Sequence, residues 1–416
     1  MKKVQIFLEY FSYTAHKWRF PPFIPIDKRT KRGYNKKAMN RIYLDHAATT
    51  PLDNQILEKM LPYFTEEFGN PNSPHATGRK AMAAVDNARD CLAALLNAKP
   101  SEIFFTSGGT EADNWAVLGG AYAQRERGKT HVIVSAIEHH AVLAAAERLE
   151  KEGFEVTYLP VDKGGLVQAE TLKEALTEKT GLVAVMLVNN EVGTVQDIQT
   201  LAAIAHENGS VFFTDAVQAA PYVSLDVKAL GVDMLSISGH KFYGPKGVGA
   251  LYIKSGVKVY AHALGGEQER GLRGGTVNVP MTVGLAAAYQ KNQGTMSATN
   301  EKLTALKELF LKEISCVDGV QVNGENTLPA ILNIRVTGVS NVALLYNLDL
   351  SGVSAAAGSA CASSSVLPSH VLTAMGLTKD EANECIRLSF GKHNTEEEIL
   401  QAARIFKEIV AKLQAK

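Results

Sequence analysis

The apolar run VAVMLV (183–188) decides the fold class of this chain, because no polar residue alternates with the apolar ones. Strands that are apolar on both faces are typical of parallel sheets covered by helices on both sides. Similar apolar runs occur on either side of it: IFFTS (103–107), HVIVSA (131–136), VFFTDAV (211–217), MLSIS (234–238) and GALYI (249–253). Amphipathic stretches of helical length lie among them, at 79–97, 141–152 and 201–208. The pattern predicts an α/β domain with a mostly parallel sheet, whose functional residues gather at the carboxyl ends of the strands.

The sequence changes in character after about residue 295. There it predicts long charged helices at 300–314 and 396–413 and strands at 331–336 (ILNIRV) and 386–390 (IRLSF), which indicates a smaller α+β domain. Between these strands lies SGVSAAAGSACASSS (351–365). This segment is almost wholly Gly, Ala and Ser around Cys361, so it cannot pack a core.

The composition of the 416 residues is that of a globular protein, with 46% hydrophobic and 21% charged residues and a formal net charge of zero. We therefore expect neither a nucleic-acid partner nor a membrane. Residues 1–38 are a basic leader of net charge +8, and MNRIYLDHAATTP at Met39 reads like a natural start. We expect the leader to be disordered and dispensable, or a mis-assigned start. A basic arm on an acidic partner is a second explanation, and an organelle presequence is disfavoured.

The chain has four cysteines, and none of them forms a CxxC pair: Cys91, Cys316, Cys361 and Cys385. The spacing indicates neither a zinc site nor a disulfide framework, so we predict no resident metal. Reduced thiols in the cytoplasm are the simplest interpretation. We expect Cys91, Cys316 and Cys385 to be core residues.

Lys241 lies in SGHKFYGPKG (238–247), directly after a predicted strand at the functional edge of the sheet. A lysine there can form the Schiff base through which proteins hold pyridoxal phosphate, although alone it is more often a surface residue. Asp215 ends another strand and can keep the ring nitrogen of this cofactor protonated. TSGGTEADN (106–114) brings two glycines and Thr110 to a helix N-terminus, where a phosphate binds, although such a sequence is as easily a helix cap.

The chain from Met39 onward resembles cysteine desulfurases, because eight motifs occur in their order: IYLDHAATTP, FTSGGTEADN, VNNEVGTVQDI, DAVQA, SGHKFYGPKG, ERGLRGGT, GSACASS and IRLSFG. The long Ser/Ala/Gly loop is similar to that of the NifS/IscS-type group, in the class-V aminotransferase family. The resemblance implies a homodimeric pyridoxal-phosphate transferase of fold type I. It implies a large cofactor-binding domain at 51–295 with a mostly parallel seven-stranded sheet, and a small α+β domain formed by 39–50 and 296–416.

The resemblance also implies roles for residues around the cofactor ring. Lys241 would hold pyridoxal 5'-phosphate and Asp215 would pair with its pyridine nitrogen. Gln218 would hydrogen-bond the phenolic oxygen. His139 would stack on the ring and help to move protons, with His140 an uninvolved neighbour.

The remaining roles concern the phosphate, the substrate and the nucleophile. The implied phosphate-binding residues are Gly109, Thr110, Ser238 and His240, joined by Thr276 of a second subunit. Arg387 would grip the substrate carboxylate, helped by Asn190, which also belongs to the cofactor-binding set. Cys361 would be the nucleophile and is the one residue considered as a transient iron–sulfur ligand. Since its neutral loop does little to lower a thiol pKa of about 8.5, we expect activation when the loop swings toward the site.

The implied activity converts L-cysteine to L-alanine and leaves a persulfide on Cys361. An acceptor protein, a scaffold for iron–sulfur cluster assembly or an enzyme of tRNA thiolation, would then take the sulfur. The alternatives are a selenocysteine lyase, another class-V aminotransferase or, less favoured, a non-catalytic sulfur-delivery scaffold. Glu267 stands where many members of the family have a third glycine, and the longer tail of some members is missing after the last helix, which leaves the acceptor open.

Overall fold

The computed structural model describes residues 41–358 and 368–415. The predictions for residues 1–38 and for Cys361 therefore lie outside the described residues. From Ile42 onward the chain forms one compact unit.

The strands are β1 (Ile42–Tyr43), β2 (Ile103–Thr106), β3 (His131–Ser135), β4 (Glu155–Leu159), β5 (Thr180–Ala184), β6 (Val211–Asp215), β7 (Met234–Ser238), β8 (Gly249–Ile253), β9 (Val320–Asn323), β10 (Ile331–Val336), β11 (Val353–Ser354) and β12 (Cys385–Ser389). Seven of them form one sheet in the order β2-β8-β7-β6-β5-β3-β4, in which only β8 runs antiparallel to its neighbours. Strands β12, β10 and β9 form a separate antiparallel sheet, and β1 pairs with β11. The predicted α/β fold with a mostly parallel seven-stranded sheet is confirmed.

The helices are α1 (Asn54–Met60), α2 (Pro62–Thr65), α3 (Ala76–Leu95), α4 (Gly109–Asn114), α5 (Gly120–Arg125), α6 (His140–Lys151), α7 (Ala169–Ala175), α8 (Ile198–Glu207), α9 (Val227–Leu230), α10 (Val279–Ile314), α11 (Asn341–Leu350), α12 (His370–Ala374), α13 (Lys379–Ala382) and α14 (Glu396–Gln414). Helix α4 continues through a π-helical turn at 115–119 into α5. Within the described ranges, no helix is both long enough and apolar enough to cross a membrane.

Both faces of the large sheet are buried, as the run at 183–188 predicts. Val183 and Val185 pack into a core on one face, together with Phe212 of β6. Leu182 and Ala184 pack into a second core on the other face. Alternate residues from Leu182 to Val185 therefore enter different cores, and this is why this part of the chain has no polar positions.

Three elements illustrate where the structure differs from the sequence prediction. β5 is displaced toward the N-terminus of the predicted strand, and residues 185–188 follow it as buried chain with a bend at Leu187. β4 was not predicted, because it is an edge strand with several exposed residues and therefore lacks an apolar run. α10 is 36 residues long and begins well before the predicted position. The prediction missed its first half because this part lacks clear periodicity and contains Gly284, which packs against Met60. The predicted domain boundary at 295 falls inside α10, and the two-domain division stays a prediction.

Asp53 connects three parts of the fold, and we expect its removal to destabilise the protein. Its carboxylate caps α1 and accepts hydrogen bonds from Lys291 of α10 at 2.7 Å and from Lys392 at 3.1 Å. Burial opposes ionisation, but the two lysines outweigh it and hold the pKa of Asp53 at about 2. Because the folded pKa lies below the unfolded value, the carboxylate stabilises the fold above pH 4 and loses this effect as the pH falls toward 2.

Asp53→Asn is therefore expected to lower the free energy of unfolding by about 1–2 kcal/mol at pH 7. Melting temperatures of variant and wild type measured between pH 7 and pH 3 should converge as the pH falls. Glu170→Gln is the control, since Glu170 has only an exposed ion pair with Lys173 and should melt like the wild type. A constant difference across the whole pH range would contradict the prediction.

Candidate active site

The carboxyl ends of β2, β3, β5, β6 and β7 meet at one edge of the large sheet and line a cleft of about 170 Å³. Most of the residues singled out from the sequence line this cleft: Gly109, Thr110, His139, Asn190, Asp215, Gln218, Ser238, His240, Lys241 and Arg387. They come from widely separated parts of the chain. The structure therefore places in one cleft the residues that separate sequence motifs predicted.

Lys241 follows β7 in a short 3₁₀ turn. Its Nζ donates hydrogen bonds to the carbonyl oxygens of Ala47 at 2.5 Å and Ala48 at 3.1 Å. The turn is fixed by Thr50, whose N–H and hydroxyl both donate to the His240 carbonyl. The segment that follows β1 thus positions the lysine through backbone oxygens, which leave no side-chain signature in the motif IYLDHAATTP.

Asp215 ends β6 and is only 4% exposed. One of its carboxylate oxygens accepts the Val217 N–H at 2.8 Å. Burial raises the pKa of Asp215 to about 6, and the Val217 N–H and the positive charge of Lys241 oppose this rise. Asp215 is therefore mainly an anion at neutral pH, facing the amine across the cleft.

His139 caps α6, and its Nδ1 accepts the Ala141 N–H at 3.1 Å. This bond assigns the ring hydrogen of the neutral imidazole to Nε2. Burial, followed by the nearby charge of Lys241, lowers the pKa of His139 to about 4. The ring is therefore neutral at physiological pH and suited to stacking. His140 is exposed and contacts His370 instead of lining the cleft.

Gly109 and Thr110 open α4 directly after the sharp turn at Gly108, where φ is 151°. A Cβ at Gly109 would lie 2.7 Å from Cγ2 of Val217, so any larger residue there would require Val217 to move. Backbone N–H groups at a helix start and the hydroxyls of Thr110 and Ser238 form a site that suits a phosphate.

Thr276 is exposed and does not line the cleft within one chain. It follows Gly275, which borders a second, open region of about 650 Å³. This region shares Thr110 with the cleft and contains the ion pair between Glu111 and Arg273, at 2.8 Å. The contribution of Thr276 from a second subunit stays a prediction.

Arg387 lies on β12 of the small sheet and is 1% exposed. Its guanidinium donates to Asp45 at 2.9 Å and to the backbone carbonyl of Asn190 at 2.8 Å. Its Nε is buried without a hydrogen-bond partner in the described structure. Asp45 was not identified from the sequence, because it lies 342 residues away along the chain.

The residues of the cleft fit pyridoxal phosphate. Lys241 offers an amine, Asp215 offers a buried anion, and the start of α4 offers a phosphate cradle. Gln218 is buried, and its side-chain oxygen has no partner among the described residues. Because buried polar atoms are normally hydrogen-bonded, this orphan atom in the wall of the cleft indicates a polar ligand.

The three described cysteines are free thiols outside the cleft. Burial raises the pKa of Cys385 to about 11 and also raises the pKa of Cys91, so neither is an activated thiol. Cys316 is exposed, and the expectation of a core residue there is wrong, because it lies just beyond the end of α10.

Comparisons with known proteins agree with this geometry. The family described as aminotransferase class-V matches residues 42–401. The putative cysteine desulfurase IscS 1 of Bacillus subtilis (strain 168) is 48% identical over 379 residues, which are 90% of this chain and 100% of that protein. The cysteine desulfurase IscS of Methanosarcina thermophila is 46% identical over 385 residues, which are 92% of this chain and 95% of that protein.

Solved structures show the same relationship. A structure described as a NifS-like protein aligns with a TM-score of 0.84 and 36% identity, covering 89% of this chain and 100% of that chain. A structure described as SspA in complex with cysteine aligns with a TM-score of 0.76 and 37% identity, covering 85% of this chain and 100% of that chain.

Proposed function

The chain belongs to the class-V aminotransferases, among the cysteine desulfurases of the NifS/IscS type, and from this premise we propose that it moves the sulfur of free L-cysteine to Cys361 and releases L-alanine. The enzyme depends on pyridoxal 5'-phosphate. The observation that carries the proposal is the convergence of Lys241, Asp215 and Arg387 in one cleft. Conversion of L-cysteine and the Cys361 thiol into L-alanine and a Cys361 persulfide balances without an external oxidant or reductant.

The bound cofactor supplies an electron sink for the charge left at the substrate Cα when its proton is removed. Asp215 would keep a proton on the ring nitrogen, and the buried Gln218 would hydrogen-bond the ring. Lys241 would hold the cofactor at rest, and its freed amine would take the Cα proton. Neutral His139 would stack on the ring and relay protons through Nε2. Arg387 orients the substrate by its carboxylate.

Incubation of the purified protein with L-cysteine tests this function. Alanine should form in equal amounts with enzyme-bound or reductively released sulfur, and mass spectrometry after alkylation should find the additional sulfur on Cys361. The same assay with L-selenocysteine measures substrate preference. Transfer of the amino group to a 2-oxo acid without release of sulfur would contradict the proposal.

The proposal extends to assembly and sulfur delivery. We infer a homodimer in which Thr276 completes the phosphate site of the second subunit, and the open region beside Thr110 supports this arrangement. The persulfide passes to an acceptor protein of iron–sulfur cluster assembly or tRNA thiolation, with Cys361 as a transient iron–sulfur ligand in the former. The reaction takes place in the cytoplasm.

Arg387→Lys is expected to raise the KM for L-cysteine about tenfold or more while the cofactor content stays unchanged. Lysine keeps the positive charge beside Asp45 but loses the planar fork that binds a carboxylate through two hydrogen bonds. Steady-state kinetics and the absorbance of the cofactor measure the two effects. Arg335→Lys is the matched control, because Arg335 lies on the neighbouring strand β10 and pairs with Glu381 and Glu384 away from the cleft. An unchanged KM in Arg387→Lys would remove Arg387 from substrate binding.

A further inference from the structure

A second carboxyl group, that of Asp113, is buried in the lining of the same cleft as Asp215. Asp113 is on α4 and is 1% exposed. Its Oδ1 lies 2.6 Å from the Ser236 hydroxyl, and Ser236 pairs directly with Asp215 in the ladder between β6 and β7. Because Ser236 and Asp215 are register partners on neighbouring parallel strands, their side chains leave the sheet on the same face. Two buried carboxyl groups therefore flank one serine hydroxyl, and Asp113 is the one that is hydrogen-bonded to it.

A serine hydroxyl carries a single hydrogen and cannot donate to two carboxylates at once. If both groups were ionised, one anion would face the oxygen lone pairs of Ser236 in a buried environment, which is strongly unfavourable. If one carboxyl group is protonated, it donates to Ser236 Oγ, and Ser236 donates to the other. The arrangement is fully hydrogen-bonded only in this state.

The surroundings decide which group holds the proton. Asp215 accepts the Val217 N–H and faces the positive charge of Lys241, and both stabilise its anion. In the described structure, the Asp113 side chain is hydrogen-bonded to Ser236, and no positively charged group acts on its carboxyl group. The proton therefore belongs on Asp113.

We propose that Asp113 is a neutral carboxylic acid that donates its proton to Ser236 Oγ and thereby directs the Ser236 hydroxyl to Asp215. Asp113 and Ser236 are then positioning residues that keep Asp215 the charged carboxylate of the cleft. The role given to Asp215 rests on the proposed function, but the protonation state of Asp113 does not.

The other ionisable groups nearby agree with this assignment. Burial raises the pKa of Asp113 well above its usual value, and the negative charges of Asp215 and Glu138 add to this rise. Glu138 is also buried, which raises its pKa to about 8, and it is bonded to Ser135 and the Met186 N–H rather than to Ser236. With Asp113 and Glu138 both neutral, Asp215 is the anion that faces Lys241.

Isotope-edited infrared spectroscopy of the full-length holoenzyme tests the proposal. Protein with ¹³C-labelled aspartate side chains should show at pH 7 the carbonyl stretch of a protonated carboxylic acid, and Asp113→Asn should remove it. Since the asparagine amide can also donate to Ser236, the pH midpoint of the cofactor's visible absorbance should move by less than about 0.3 units in this variant. Ser236→Ala removes the donation to Asp215 and should weaken cofactor binding about three- to tenfold.

Ser236→Ala also tests the proposal if the Asp113→Asn variant fails to fold. Asp113 should stay protonated in it, with its carbonyl stretch moved to higher frequency because the bonded oxygen is gone. Glu138→Gln is the control and should leave the labelled aspartate band in place. The absence of a protonated aspartate band, an unmoved band in Ser236→Ala, or a midpoint shift of about one unit in Asp113→Asn would each overturn the proposal. A colourless protein that keeps the Asp113 band would instead reject the proposed function alone.

Discussion

Lys241→Ala is expected to remove the visible absorbance of the bound cofactor and to lower alanine formation from L-cysteine at least about a thousandfold. Among the described residues that line the cleft, Lys241 is the only lysine, so no neighbouring amine replaces it. Its loss removes both roles that we propose for it, which are to hold the cofactor and to take the substrate proton. Absorbance spectra and an alanine assay on the purified variant measure the two effects.

Lys254→Ala is the matched control for this experiment. Lys254 also follows a strand of the large sheet, but β8 runs antiparallel to β7, so Lys254 lies at the opposite edge, where it pairs with Asp233. The control should keep full colour and rate. Wild-type absorbance in Lys241→Ala would show that another residue holds the cofactor.

Cys361→Ser is expected to keep the cofactor and to bind L-cysteine, as seen by a spectral change on mixing, but to form alanine at least about a thousandfold more slowly. Arg387 and Lys241 are untouched in this variant, so substrate binding remains. A hydroxyl is too weak a nucleophile toward sulfur to replace a thiolate. Spectral titration and alanine release separate the two steps.

Cys91→Ser is the control for that variant, because Cys91 is half-buried on α3 and burial raises the pKa of its thiol. Its rate should stay near that of the wild type. If Cys361→Ser formed alanine as fast as the wild type, the sulfur would not be transferred to Cys361.

The parts of the fold that could be predicted are those in which local sequence decides the environment. β6 and β7 are buried on both faces, so the strands predicted from their apolar runs nearly coincide with the observed strands. β4 could not be found in this way, because an edge strand is half exposed and its pairing with β3 depends on distant residues. α10 was found only in its charged second half, where the amphipathic period is clear.

The same division holds for the cleft. Lys241 and Asp215 could be proposed because each ends a strand, and the carboxyl ends of parallel strands meet at one edge. Asp45 and the carbonyl oxygens of Ala47 and Ala48 could not, because they reach the cleft only through tertiary contacts with residues far along the chain. Backbone oxygens also carry no side-chain signature. Asp113 stood inside a quoted motif, yet its burial beside Ser236 depends on the packing of α4 against β7.

If Arg387 binds the substrate carboxylate as we propose, its pairing with Asp45 turns substrate recognition into an exchange reaction. A substrate carboxylate that binds the guanidinium must compete with the carboxylate of Asp45, which already neutralises the positive charge of Arg387. The carboxyl group alone therefore contributes only the difference between two ion pairs, which is small. A simple carboxylic acid gains little by displacing Asp45, whereas an amino acid also gains from its amine in the same cleft. The proposed role of Arg387 thus implies that the Asp45 ion pair disfavours the binding of small anions that lack an amine.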